Sequence, residues 1–72
     1  ACTNSNEKFK LVDGKYIAIE FTEWDYYVRD GVSVCEESIY TVIDDKRILK
    51  SKSESYWDYE QAKQIELGTK YY

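Results

Sequence analysis

Residues 53–68 read SESYWDYEQAKQIELG, and the choice between an all-β chain and an α+β one turns on them. Ser55 stands where a helix cap would, Asp58 follows three residues later, and good helix formers run on to Gly68, a residue suited to ending a helix. Tyr59, Ala62 and Ile65 recur at helical spacing, with Trp57 beside them. The pattern predicts a short helix over residues 56–67. The other reading of the same stretch is a strand or turn over residues 56–59, followed by a further strand ending at residues 70–72.

Upstream the signal is alternation. Phe9, Leu11, Ile17, Ile19 and Phe21 all fall on odd positions, with Lys8, Lys10, Ala18, Glu20 and Thr22 on even ones. Two strands joined at Asp13 and Gly14 follow from this. A two-residue loop would pair Leu11 with Tyr16 and set Ile17 against Lys10, mixing apolar and charged side chains on one face. A three-residue loop over residues 12–14 pairs Leu11 with Lys15 and Phe9 with Ile17, so this register is expected. Asp30 and Gly31 predict a second hairpin with a type I′ turn, pairing Arg29 with Val32, Tyr27 with Val34 and Tyr26 with Cys35. A third hairpin joins SIYTVI to ILKSK across residues 44–47.

The expected fold is therefore α+β and mainly β: a small antiparallel sheet of hairpins, open or closed into a barrel, with one short C-terminal helix. Residues 1–8 read as a polar, flexible tether and residues 9–72 as a single small domain. In 72 residues the core is small, and 12 aromatic side chains must supply much of it.

Two cysteines, Cys2 and Cys35, allow one intramolecular bridge. Closing that loop would stabilise the fold by about 3 to 4 kcal/mol in the chain-entropy model, and a disulfide implies an oxidising compartment. A stapled, exported chain, periplasmic, envelope-bound or secreted, is expected. Ala1 and Cys2, followed by Thr3, Asn4 and Ser5, resemble the junction of a bacterial lipoprotein, which implies an acylated Cys2 as a lipid anchor. A mature chain beginning at Ala1 would leave that anchor unformed and favours the bridge.

Chemistry is scarce. The absence of histidine excludes Ser-His-Asp and Cys-His nucleophilic sites. Glu20, Glu23 and Asp25 could supply a glycosidase carboxylate pair, although solvated strand ends explain them better. Asp44 with Asp45 and Glu36 with Glu37 lack calcium-loop spacing, and no zinc pattern occurs. Lys46, Arg47, Lys50 and Lys52 fit an edge that discourages aggregation better than a phosphate site. No cofactor, metal or catalytic residue is expected. A net charge of −4 argues against nucleic acid as a partner.

The aromatic clusters are the most suggestive group. Trp24, Tyr26, Tyr27, Tyr56, Trp57 and Tyr59 crowd into two short stretches whose neighbours must face opposite ways, and such residues are enriched at interfaces. They are the expected partner-binding residues. The expected function is non-enzymatic: an exported protein that binds and blocks another protein, as an inhibitor, an immunity factor or a receptor-blocking exclusion factor does. The alternative is an acidic cytosolic module that mimics nucleic-acid phosphates, suggested by an isoelectric point near 4.7.

Overall fold

The computed structural model describes residues 4–72 and consists of five antiparallel strands: β1 (Asn4–Val12), β2 (Lys15–Arg29), β3 (Val32–Ile43), β4 (Lys46–Asp58) and β5 (Lys63–Tyr71). They form one sheet in the order β1-β2-β3-β4-β5. This meander is the simplest outcome of consecutive hairpins, each strand pairing with the next. The sheet is open, and neither the barrel closure nor a second layer is present among the described residues.

The α+β expectation is overturned, since the described residues contain no helix. Residues 56–67 are instead the end of β4, a four-residue loop at residues 59–62 and the start of β5. The carboxylate misread as part of a helix cap organises that loop. Asp58 Oδ1 accepts the backbone N–H groups of Glu60 (2.9 Å) and Gln61 (3.2 Å), while Oδ2 accepts the Gln61 side-chain amide at 2.9 Å. A single turn forms, and Ala62, at φ 51°, ends it in the left-handed region. The helical spacing of three apolar residues is thus spent on one loop and the strand after it. A helix that short is marginal on its own, whereas Tyr56 and Ile65 gain a place in the sheet opposite one another.

The expected disulfide is likewise not part of the described architecture. Cys2 lies outside the described residues, so no bridge joins two of them; Cys35 stands on β3 opposite Tyr26 and is not a free cysteine. Residues 4–8, read from sequence as part of the tether, form the first half of β1.

The second hairpin has the expected register, with Asp30 and Gly31 both at positive φ. The first does not. Asp13 (φ 49°) and Gly14 (φ 77°) make a two-residue turn that pairs Val12 with Lys15, Leu11 with Tyr16 and Lys10 with Ile17. A bulge then intervenes: Phe9 pairs with Ala18 but Lys8 with Glu20, leaving Ile19 as the extra residue on β2. The odd-numbered apolar residues therefore do not share one face. Two further bulges place Lys50 outside the β3–β4 ladder and Leu67 outside the β4–β5 ladder. Bulges bend strands and increase twist, which shapes a concave surface on one side of the sheet.

Paired residues share a face, so the register defines two sides. The back carries Phe21, Tyr27, Val34, Tyr40, Leu49, Tyr56 and Ile65. Tyr27, Val34, Tyr56 and Ile65 form a row across four strands, and Val34 within it is 2 % exposed. Arg29 lies two residues to one side of this row and Glu54 two residues to the other. Their ion pair, joined by the Tyr27 hydroxyl, crosses over Val34. A second cluster stacks the Arg47 guanidinium 3.7 Å above the Phe21 ring, with Tyr40 at 5.9 Å and Glu7 pairing Arg47 at 3.5 Å. Long charged side chains thus take the part of a missing layer, covering apolar rings with their stems and planes.

Two substitutions test the turns. Asp45 (φ 63°) and Ala62 (φ 51°) occupy conformations that favour glycine. Ala62→Gly and Asp45→Gly should each raise unfolding stability by about 0.5 to 1 kcal/mol, the relief of left-handed strain exceeding the extra entropy of an unfolded glycine. Urea titration measures it; a loss of stability at both sites would contradict the turn assignments.

Candidate functional site

The front of the sheet carries the site. Alternation along β2 places Trp24 and Tyr26 there, and their register partners on β3, Glu37 and Cys35, share that face. Ser53 and Ser55 on β4 lie opposite Glu37 and Cys35, and Glu66 and Gln64 on β5 lie opposite Ser55 and Trp57. Together they line a broad trough of about 1120 Å³ at the end of the sheet bearing the 30–31 turn and the 59–62 loop. Its mouth continues between those two turns, past Val32, Trp57 and Tyr59.

The floor is small and polar, the walls large and aromatic. Serines on β4 leave the depression open because their side chains are short. The Gln64 side-chain amide donates to Ser55 Oγ at 2.8 Å, and the Ser53 and Thr69 hydroxyls meet at 3.0 Å. Trp24 Nε1–H donates to Glu37 Oε2 at 2.7 Å, which fixes the indole plane and leaves the rest of the ring to the trough. Trp57 is 47 % exposed and Tyr59 88 % exposed. Neither side chain makes a hydrogen bond among the described residues.

Of the six aromatics expected to bind a partner, Trp24, Tyr26, Tyr56, Trp57 and Tyr59 border the trough, Tyr56 from a register position whose side chain belongs to the other face. Tyr27 and Tyr56 belong to the back, where they flank Val34. Sequence reasoning missed Glu37, Glu66 and the β4 serines. The only sequence signal for the serines is their own alternation at residues 51, 53 and 55.

The remaining candidates disperse. Glu20 faces the front in an ion pair with Lys8 at 3.4 Å, whereas Glu23 and Asp25 face the back, so Glu20 is parted from the other two by the sheet and none of the three lines the trough. Glu36 and Glu37 point to opposite faces, and Asp44 and Asp45 are the two residues of the β3–β4 turn. No group of three metal-ligating side chains occurs among the described residues. Arg47 is stacked on Phe21, and Lys52 pairs with Glu36 at 3.4 Å on the back. The Glu36 carboxylate raises the Lys52 ammonium above its ordinary value of 10.5. A raised lysine stabilises the fold fully below its unfolded value and loses that contribution as pH climbs through the folded one. Lys52→Met should therefore lower stability slightly at pH 8, and the difference from the wild type should shrink as pH rises past the ordinary lysine value, as thermal melts across that range would show; the pair is partly exposed and its worth is small.

The class defined by these features is a small all-β protein built as one open antiparallel meander, with an aromatic trough on one face. The chain matches no protein-family model, no curated protein and no solved structure. Among the described residues no helix is long and apolar enough to cross a membrane.

Proposed function

We propose that the chain is a non-enzymatic binding module that works by occupying another protein, as an inhibitor, an immunity factor or a receptor blocker does. The observation that carries this reading is the trough: Trp24, Tyr26, Trp57 and Tyr59 converge on one open surface with short polar side chains between them. Ligand pockets for small molecules enclose most of their guest. This surface is too open for that and suits a polypeptide laid across it. Large, stiff aromatic side chains with a polar atom at the rim are what anchor such contacts.

Charge narrows the partner. The residues lining the trough include Glu37, Glu54 and Glu66 and no lysine or arginine. Glu54 is engaged by Arg29 on the back, which leaves Glu37 and Glu66 to meet a ligand. A partner segment presenting lysine or arginine would place its cation against indole faces and these carboxylates. Phosphate mimicry is the weaker reading, because Glu7, Glu20, Glu36 and Glu54 are each neutralised by a lysine or arginine of the chain itself.

The test is affinity capture with the wild-type chain and with a Trp24→Ala, Trp57→Ala double variant that retains its β-sheet circular dichroism. The expected result is a protein recovered by the wild type and lost by the variant. Equal recovery by both chains would refute the assignment of the trough.

A further inference from the structure

We infer that the β1–β2 arm, residues 9–18, is an interface with a second copy of this chain, forming a two-fold dimer. The arm is the part of the sheet that leaves its neighbours. Pairing of β2 with β3 begins at Glu20 and Thr41, so residues 15–18 pair with β1 alone. The bulge at Ile19 marks the point of departure.

The arm is apolar on its back, whereas Lys10 and Lys15 stand among the apolar side chains of its front. Because β1 is regular, the β2 bulge carries Ala18 and Tyr16 to the back with Phe9 and Leu11, and leaves Ile17 on the front opposite Lys10. Phe9 is 54 % exposed, Leu11 59 % and Tyr16 76 %. Contiguous exposed apolar surface of this kind is uncommon on a monomer. Elsewhere on the back, Phe21 and Val34 are buried beneath Arg47 and Arg29; no such cover reaches the arm among the described residues.

Area and shape point to a copy of the chain. The accessible surface is 5757 Å², against about 4,700 Å² for a compact protein of this mass. The excess, about 1,000 Å², is on the scale of the roughly 800 Å² that each side of a stable interface contributes. The Cα radius of gyration is 15.0 Å, where about 11 Å is usual for this length. A single-layer sheet needs a second layer to share its core, and a two-fold copy supplies one. The arm also has the means to be self-complementary: apolar side chains need no opposite charge across the axis, and the unpaired edge of residues 15–18 can meet its own image antiparallel.

The experiment is sedimentation equilibrium of the whole chain from 1 to 200 µM, with hydrogen exchange of the arm amides over the same range. The expected result is a species of twice the 8.6 kDa chain mass, with protection of the residue 15–18 amides that rises with concentration. Leu11→Lys and Tyr16→Lys, both at exposed positions, should each weaken dimerisation at least tenfold; Val28→Lys, exposed at the other end of β2, should leave it unchanged. A wild-type chain that stays monomeric throughout overturns the inference, as does a dimer indifferent to both arm variants. A monomer whose arm is instead protected by lipid vesicles or by another protein also overturns it. Should one arm variant fail to fold, the other and the wild-type exchange data still decide.

Discussion

Val34→Asp should abolish the cooperative unfolding transition. Val34 is the most buried large side chain of the described residues, set between Tyr27 and Tyr56 and crossed by the Arg29–Glu54 ion pair. A carboxylate there loses its water without a dedicated partner, a substitution that falls in the tail of mutational effects above about 4 kcal/mol. A domain of this size has a total stability of only about 5 kcal/mol. The Arg29 guanidinium would have to leave Glu54 to answer the new charge. Val34→Ala grades the effect: removal of two methyl groups should cost about 2 kcal/mol without unfolding the chain. Denaturant titration with far-ultraviolet dichroism reads both. A Val34→Asp chain with a wild-type midpoint would show that the back row is not the core of the fold.

Trp57→Ala separates binding from folding. Its indole is half exposed, makes no hydrogen bond among the described residues and stands at the mouth of the trough, so its removal should leave the unfolding midpoint nearly unchanged. Truncation of a central aromatic anchor at an interface costs about 2 kcal/mol or more, a loss of at least about 30-fold in affinity for the captured partner. Trp24→Ala behaves differently. It strips Glu37 of its indole donor at 2.7 Å and half-buried surface from the sheet, so stability and affinity should fall together. Calorimetry of unfolding and of binding on the two variants distinguishes these outcomes. Loss of stability in Trp57→Ala with unchanged affinity would reverse the assigned roles.

The trough was partly legible in the sequence. Aromatic pairs such as Tyr26 and Tyr27, or Tyr56 and Trp57, must split between two faces of a strand, and they do. Which member of each pair faces the trough depends on what lies across from it. Val34 draws Tyr27 and Tyr56 to the back through register alone, and Trp24, Tyr26 and Trp57 are thereby left at the front. The acidic character of the trough was not legible, because Glu37 and Glu66 lie 29 positions apart and meet only through the β3–β4 and β4–β5 pairings.

By itself the sequence determined the dominance of strands, the turns at Asp13 with Gly14 and at Asp30 with Gly31, and the absence of histidine chemistry. These rest on local physics: side-chain alternation, the backbone freedom of glycine and the identity of the residues. Only the tertiary structure decided the rest. The first hairpin took the register that alternation disfavoured, because its tip is exposed on both sides and no burial rewards one face; turn geometry then rules, and a bulge at Ile19 absorbs the mismatch. Residues 53–68 became strand, loop and strand because Tyr56 and Ile65 complete a row over Val34. That contact joins residues far apart in the chain, and nothing in the spacing of one segment announces it.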